Sequence, residues 1–585
     1  MTVTDRPQAD HFDFPPYQVP LRLSDTTRQI CGAAYIDEEL ADTVIREVVE
    51  DERRAVALSF GFDLNAVVRH CFRARRRYLT RDGLLLGLLA IGLVTSTIPT
   101  IAWVLLGVAV LAARSREVRL LPLRVRVLLF GSLFVVVLCG GGTLLLPLLF
   151  LPTMMSDASQ LGGDADISVS SLVAALQSQV AVGAFGLLAW MPILLGVATL
   201  VVLIHFERTT HQILTDELRP GVPPVLPPVP DERVARRLAT VARAQYGNIT
   251  VQERDAFLGC GKAELGWAYA IAVRPAGKRT TVADDATSAD TTNQEELGPA
   301  LTAHVRAAIK RMREEPLPHA VRIPGLYLVP HIVADGVRQQ GDPLLDPTTG
   351  IPRSRASDEV IEAIIRHPQG GLRYYDRIVV GDAGKPLHTP DGRLVLPEQN
   401  LGIDISAFVH VAVEGGLLYV EFVTTVMPPI RARYALVDRL HPEQSTARLL
   451  RSAVSSMLTD SVLSGWRLAR RLGHHWRMRT RMADALAASA QFRTHDYGAR
   501  ISVRQLVAEP APFKHLQLLD EWKYAKLLER AVLEAVVAFL NERGLDTGAL
   551  AQRAAEVQNI FGNVNTIFGG QQAFASSNVS FGQHN

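Results

Sequence analysis

Three stretches of this chain are almost wholly apolar, residues 84–112, 127–151 and 180–204. About 20 apolar residues cross the roughly 30 Å hydrocarbon layer of a bilayer, so the second and third stretches each predict one membrane helix. The first is too long for one untilted crossing and is interrupted by Thr95-Ser96-Thr97-Ile98-Pro99. Proline removes a backbone donor and disfavours helix at the residue before it. That stretch is therefore either one long kinked span or a hairpin of two short helices, re-entrant or in a locally thinned bilayer.

Outside these stretches the periodicity is that of aqueous domains. Leu40, Val44, Ile45 and Val48 recur at helical spacing after Asp37-Glu38-Glu39, and a second helix is predicted after Asp63, ending in the run Arg73–Arg77. Six prolines between Arg219 and Pro230 predict a stiff linker. Beyond it come a helix from Asp231 to about Ala244, strands at 247–251 and 267–273, a mobile acidic loop at 280–296, a helix through 301–312, and strands at 320–323 and 326–329. Alternating runs at 406–413 and 417–425, joined through Gly415-Gly416, read as a β-hairpin. The mixture makes 231–438 an α+β domain. Residues 439–558 read as helical, with an amphipathic basic helix at 441–482 and a packing helix from Leu519 to about Arg543. The first of these either lies in the headgroup plane of the membrane or packs on the α+β domain. The tail, 559–585, is rich in Gly, Asn and Ser, with Phe561, Phe568, Phe574 and Phe581 at regular spacing. It is either disordered or an interaction segment.

Charge sets the orientation. Arg69, Arg73, Arg75, Arg76, Arg77 and Arg81 precede the first apolar stretch, and Arg114, Arg116, Arg119, Arg124 and Arg126 follow it. Basic residues near span ends stay in the cytoplasm, which favours the hairpin. From 127 to 206 there is no lysine or arginine, and Asp157, Asp164 and Asp166 sit between the later stretches. The expected protein is thus a multi-pass plasma-membrane protein with both termini cytoplasmic. Its order is a helical region 1–83, the first membrane block 84–112, a basic loop 113–126, a span 127–151, an exterior loop 152–179, a span 180–204, and a linker 205–230 before the α+β domain. Arg73, Arg75, Arg76, Arg77, Arg81, Arg114, Arg116 and Arg119 are candidates for contact with anionic lipid headgroups, at on the order of 1 kcal/mol each; the plainer reading makes them topology determinants alone.

With 585 residues, 48% of them apolar, and a net charge of +2, composition points to no nucleic-acid partner. Cys31, Cys71, Cys139 and Cys260 are scattered, without a CxxC, and the polar N-terminus is no signal peptide. Gly259-Cys260-Gly261-Lys262-Ala263 fails as a phosphate loop, because the upstream glycine is missing and Ala263 stands where a magnesium-binding hydroxyl is needed. Cys260 has no histidine nearby in sequence to serve as its base, and His474-His475 diverge on a helix. No catalytic, metal or cofactor residue is nominated.

The run Tyr246-Gly247-Asn248-Ile249-Thr250-Val251 with Phe257, Gly259, Gly261 and Trp267, together with Phe408-Val409-His410-Val411 and Met427-Pro428-Pro429, resembles a family of bacterial multi-spanning membrane proteins with a large cytoplasmic domain. The resemblance implies that architecture and carries no activity or site. The functional expectation is a non-catalytic scaffold or sensor, with a protein partner or self-association through the domain or the tail. A transport or pore component and a membrane-tethered enzyme are the alternatives.

Overall fold

The computed structural model of the chain describes residues 20, 22–114, 169–273, 288–313, 323, 325–381, 387–389, 391, 393–396, 403–441, 445–491, 494–510, 515–545, 547–548, 550 and 552, with the backbone alone for 114, 169–189, 288–295, 387–388, 394, 396, 475, 478–479, 481–491 and 516. The span at 127–151, most of the basic and exterior loops and the 559–585 tail lie outside the described residues. In chain order the helices are α1 (Asp25–Ile36), α2 (Glu38–Val44), α3 (Leu64–Thr95), α4 (Thr97–Arg114), α5 (Val169–Gln212), α6 (Glu232–Ala244), α7 (Ser288–Arg311), α8 (Asp358–Arg366), α9 (Thr446–Gln491), α10 (Val503–Leu506) and α11 (His515–Glu542). The strands are β1 (Ile249–Gln252), β2 (Lys262–Ala272), β3 (Leu326–Asp335), β4 (Val337–Gln339), β5 (Leu372–Val380), β6 (Leu387–His388), β7 (Leu394–Leu396), β8 (Asp404–Glu414), β9 (Leu417–Met427) and β10 (Thr494–Asp496).

These elements form two compact units, and neither is one continuous segment. Residues 1–69, 226–436 and 486–585 make the first; 70–225 and 437–485 make the second. The 439–558 region is thus divided: most of α9 belongs with the apolar helices and α11 with the sheet.

The first unit is an α+β fold around a six-stranded mixed sheet of order β1-β3-β5-β8-β9-β2. Only β1 and β3 run parallel. β8 and β9 form a hairpin whose turn residues Gly415 and Gly416 have φ of 60° and 76°. Two positive φ values in a two-residue turn match the right-handed twist of the strands, and glycine takes them without strain. On one sheet face Ile378, Ala407, Val409, Val420 and Phe422 pack under Leu301, Val305 and Ile309 of α7 and Leu528, Val532 and Val536 of α11. Helix α7 starts at Ser288, inside the stretch read as a loop, and α11 stops at Gly544, whose φ is 66°.

The N-terminal helices join this unit through α6. Asp37 caps α2 by accepting from the Glu39 and Leu40 amides, and Asp231 caps α6 through the Val234 amide. Arg237 of α6 is buried and donates to the carbonyls of Val48 (2.8 Å), Glu52 (2.9 Å), Asp51 (3.2 Å) and Arg54 (3.0 Å). Burial lowers its pKa to about 10, against the pull of Asp51 and Glu52, so it stays a cation at neutral pH. Arg237→Ala removes the donor from four carbonyls, two of these bonds buried and two part-buried, and is expected to cost about 2–3 kcal/mol in denaturant unfolding. Arg237→Lys is expected to recover little of it, since one ammonium cannot span a fork of carbonyls. An unchanged midpoint in the alanine variant would remove this staple from the account.

In the second unit, α3 continues unbroken through Arg73–Arg77 to Thr95, where the sequence predicted an end. No glycine or proline interrupts that run, and helix-favouring arginines carry it forward. The chain breaks at Ser96 and turns back as α4: a Cβ on Gly92 would lie 2.6 Å from the Thr100 Oγ1. Helix α3 and the segment Trp190–Glu217 are long and apolar enough to cross a bilayer. Of their most apolar windows, 28% and 11% are buried among the described residues. Val94, Ile98, Leu194, Val197 and Val201 are all more than half exposed.

Candidate functional site

The second face of the sheet is covered over one half only. There Phe60, Phe257 and Cys260 close over Phe408 and His331. Gly259 and Gly261 make this closure, with φ of 94° and 97°. A Cβ on Gly261 would fall 2.0 Å from the Val426 carbonyl oxygen, so the glycine-rich motif serves close backbone approach. Burial pushes the Cys260 thiol up to about 11, which leaves it protonated and inert. His331 packs on the same aromatic cluster, its ring 5.3 Å from Phe408 and 6.4 Å from Phe60. Burial and Arg377 lower its pKa to about 3, and its Nε2 has no hydrogen-bond partner among the described residues.

The other half of this face carries a groove lined by Arg373, His410 and Tyr419, and the part-buried Glu421 and the buried Tyr375 share that face with them. Alternate residues of β5, β8 and β9 point there: Arg373 and Tyr375, His410, then Tyr419 and Glu421. The register sets His410 directly opposite Glu421 and Ala412 opposite Tyr419. The Glu421 Oε2 accepts from the Arg373 Nη1 and the Tyr375 hydroxyl, both at 3.3 Å. The His410 Nδ1 donates to the Tyr374 carbonyl at 2.7 Å, which fixes the ring and leaves Nε2 as an acceptor. The Tyr375 and His410 rings are 5.3 Å apart, and His410 and Tyr419 6.0 Å. Gly266, Ala268 and Ala270 of the edge strand β2 supply an exposed floor of small side chains. The groove, ≈ 410 Å³, is closed at one end by the Pro368-Gln369-Gly370 turn.

The electrostatics of this pair run in opposite directions. Burial raises the Glu421 carboxyl above its usual range, with Arg373 and the tyrosine hydroxyls opposing it. Burial lowers the His410 imidazole, so it is neutral at physiological pH. Burial and the Glu421 charge raise the Tyr419 hydroxyl, a standing donor. A larger cleft, ≈ 530 Å³, lies beside α8. Its Arg338, however, is committed to fold contacts, donating to the carbonyls of Asp335 (2.7 Å) and Gly371 (2.6 Å). Among the described residues no group of three or more His, Cys, Asp or Glu side chains is placed to hold a metal ion.

Sequence alone singles out none of Arg373, Tyr375, His410, Tyr419 and Glu421 as a site residue. The candidate lipid-contact arginines fall in the second unit. Arg73 pairs with Glu217, its Nη2 2.9 Å from the Oε1. Arg77 donates to the Phe206 carbonyl at 3.2 Å and lies over that ring. Arg81 is buried and pairs with Asp82 at 2.8 Å. Arg75 is half-buried and Arg76 exposed. The Arg114 side chain, Arg116 and Arg119 lie outside the described residues.

A family model described as the AbeC-like domain matches residues 266–574. That stretch holds the five groove side chains and all of α9, but not α3, α4 or α5. No curated protein and no solved structure matches the chain.

Proposed function

The chain belongs to the AbeC-like domain family, and from that premise we propose that it is a multi-pass plasma-membrane protein whose α+β unit works at the cytoplasmic face as a ligand sensor. The observation that carries the sensor reading is the groove lined by Arg373, His410 and Tyr419, with Glu421 hydrogen-bonded to Arg373, inside the stretch the family shares. Side chains with shifted titration that meet on an open surface mark binding or catalytic sites. The membrane reading is supported by the exposed apolar helices and by the arginines that flank them. Partners or self-association through the tail fit the same reading, and removing 559–585 should then change the oligomer size on gel filtration.

The groove chemistry selects a small zwitterion. Glu421 and the His410 Nε2 accept hydrogen bonds, which suits an ammonium, while Arg373 on the rim suits a carboxylate. Free amino acids are expected to raise the melting temperature of the purified full-length protein and to bind in calorimetry. Glu421→Gln is expected to weaken that binding about tenfold or more, by the loss of one charge-assisted hydrogen bond. If no amino acid shifts the melting curve, or if Glu421→Gln binds as well as the parent, the groove is not the sensor site.

The raised carboxyl opposite a lowered imidazole favours a second reading, acid–base catalysis by Glu421 and His410. Turnover of a bound amino acid that disappears in Glu421→Gln would convert the sensor into an enzyme.

A further inference from the structure

Helix α9 contains the amphipathic basic helix expected at 441–482, and its middle touches α5, α4 and α3 in turn. Ser452 donates to the Glu207 carboxylate at 2.7 Å. Ala453 and Met457 pack in the cluster of Leu85, Leu200 and Leu203. Ser461 accepts from the Trp103 indole at 3.0 Å. Gly107 has no side chain where Val462 and the Leu458 carbonyl pass. Arg471 pairs with Asp82 at 3.0 Å. From position 452 to position 471 the helix thus advances about 28 Å at 1.5 Å per residue. Over that distance it meets α5 just after the third apolar stretch ends, at Glu207, and α3 just before the first begins, at Asp82. Both anchor points mark the same level, where hydrocarbon-compatible sequence gives way to charge.

The surface that α9 turns away from these contacts is sorted by angle. At 100° per residue from Leu450, the buried Leu449, Ala453, Ser464 and Arg471 fall at about 260–320°, while Val454 and Leu472 fall at about 40° and Trp476 at about 80°. Leu450, Val454, Leu472 and Trp476 are 48%, 54%, 70% and 71% exposed. Arg448, Arg470 and Arg477, all exposed, follow at about 160–200°, with Trp466 beside them. Toward the two ends of the helix an apolar sector and an arginine sector therefore flank the buried anchor, whereas in the middle Ser461 (about 20°) and Thr459 (about 180°) are buried as well. The apolar sector is continuous in chemistry with the exposed Leu84, Leu86 and Val201 of the helices it crosses. The exposed charged side chains of the arginine sector, Arg448, Arg470 and Arg477, are all positive.

We propose that α9 is an in-plane helix of the bilayer interface. Its Leu450–Val454–Leu472–Trp476 sector lies among the upper acyl chains, and Arg448, Arg470 and Arg477 hold the phosphates of anionic phospholipids. The occupant of this face is lipid, and the assignment rests on the membrane reading of α3, α4 and α5. A tryptophan-bearing amphipathic helix with a basic edge has this partition chemistry, and its attraction to anionic headgroups falls off within a Debye length.

The test uses the full chain reconstituted in vesicles of phosphatidylcholine, with or without phosphatidylglycerol, and single fluorescent labels at Leu472→Cys or Val94→Cys. Both labels are expected to lose about half their emission to lipids brominated high on the acyl chain, and little to aqueous iodide. Adding phosphatidylglycerol should deepen quenching at 472, and Arg470→Ala with Arg477→Ala should abolish that increment. A 472 label quenched by iodide and not by lipid, beside a 94 label quenched by lipid, overturns the interfacial helix and leaves the membrane reading standing. If neither label responds to brominated lipid, the membrane reading itself fails. An unchanged 472 signal on adding phosphatidylglycerol removes the phosphate contacts.

Discussion

Asp82→Ala is expected to destabilise the helical unit by about 3–5 kcal/mol, the cost of leaving a buried charge cluster without its anion. Asp82 has no exposed side-chain surface, and three arginines converge on it: Arg81 at 2.8 Å, Arg471 at 3.0 Å and Arg467 at 3.7 Å. Arg467 is shared with Asp460 at 2.8 Å. The Arg81 and Arg471 guanidinium groups also lie over the Tyr78 ring, at 5.2 and 5.8 Å. Without the carboxylate, Arg471, whose side chain is 5% exposed, loses the ion pair it makes with Asp82 at 3.0 Å, which helped offset its lost hydration. The expected readout is a lowered midpoint of thermal unfolding in detergent, with α9 becoming the first protease-sensitive segment. The double variant Asp82→Leu, Arg471→Met should recover much of the loss, since replacing a buried ion pair by apolar groups is often neutral. A single variant as stable as the parent would mean that α9 is held by other contacts.

What the sequence revealed and what it hid divide along one physical line. Local signals were readable: Asp231 before an amphipathic run starts α6, alternation around Gly415-Gly416 marks the β8–β9 hairpin, and Gly544 ends α11. Elements whose stability is supplied by distant partners were not. β5, Leu-Arg-Tyr-Tyr-Asp-Arg-Ile-Val-Val, is buried on nearly every residue because it sits between β3 and β8, so no polar–apolar alternation announces it. The groove depends on the register of three strands: residues 373, 410 and 421 become neighbours only after Arg377 is set against Phe408, and His410 against Glu421. Asp82 and Arg471 are separated by 389 positions. From sequence Arg81 belongs to a topology-setting basic cluster, and nothing local ties Asp82 to an arginine so far along the chain. The one signal that could have exposed the knot is an aspartate placed directly against an apolar stretch, where an unpaired carboxylate would be costly.

Below pH 6.5 the α+β unit is expected to lose stability in proportion to the proton that His331 takes up on unfolding. His331 is neutral in the fold because burial and Arg377 hold its pKa near about 3, against an ordinary value of 6.5. A depressed folded pKa contributes stability that is complete above 6.5 and is lost as pH falls toward about 3. The slope for one proton is about 1.4 kcal/mol per pH unit, so the loss approaches about 5 kcal/mol at the acid end. His410, also depressed, acts in the same direction, whereas the raised Glu421 and Asp376 carboxyls act in the opposite one. A difference measurement isolates His331. Denaturant midpoints of the parent and of His331→Leu are compared at pH 7, 6, 5 and 4, and the gap between them should shift in favour of the variant by about one proton's slope. The buried site favours a large effect, because the ring stands 5.3 Å from Phe408 and 6.4 Å from Phe60, with Arg377 the charge that acts on it. A charged imidazole there would gain no hydrogen bond at Nε2 and would face the like charge of Arg377, so protonation and retention of this fold exclude one another. Parallel pH profiles for parent and variant would show that the ring reaches solvent in the folded state, and the closure of this sheet face by Phe60 and Phe257 would have to be looser than the geometry described above.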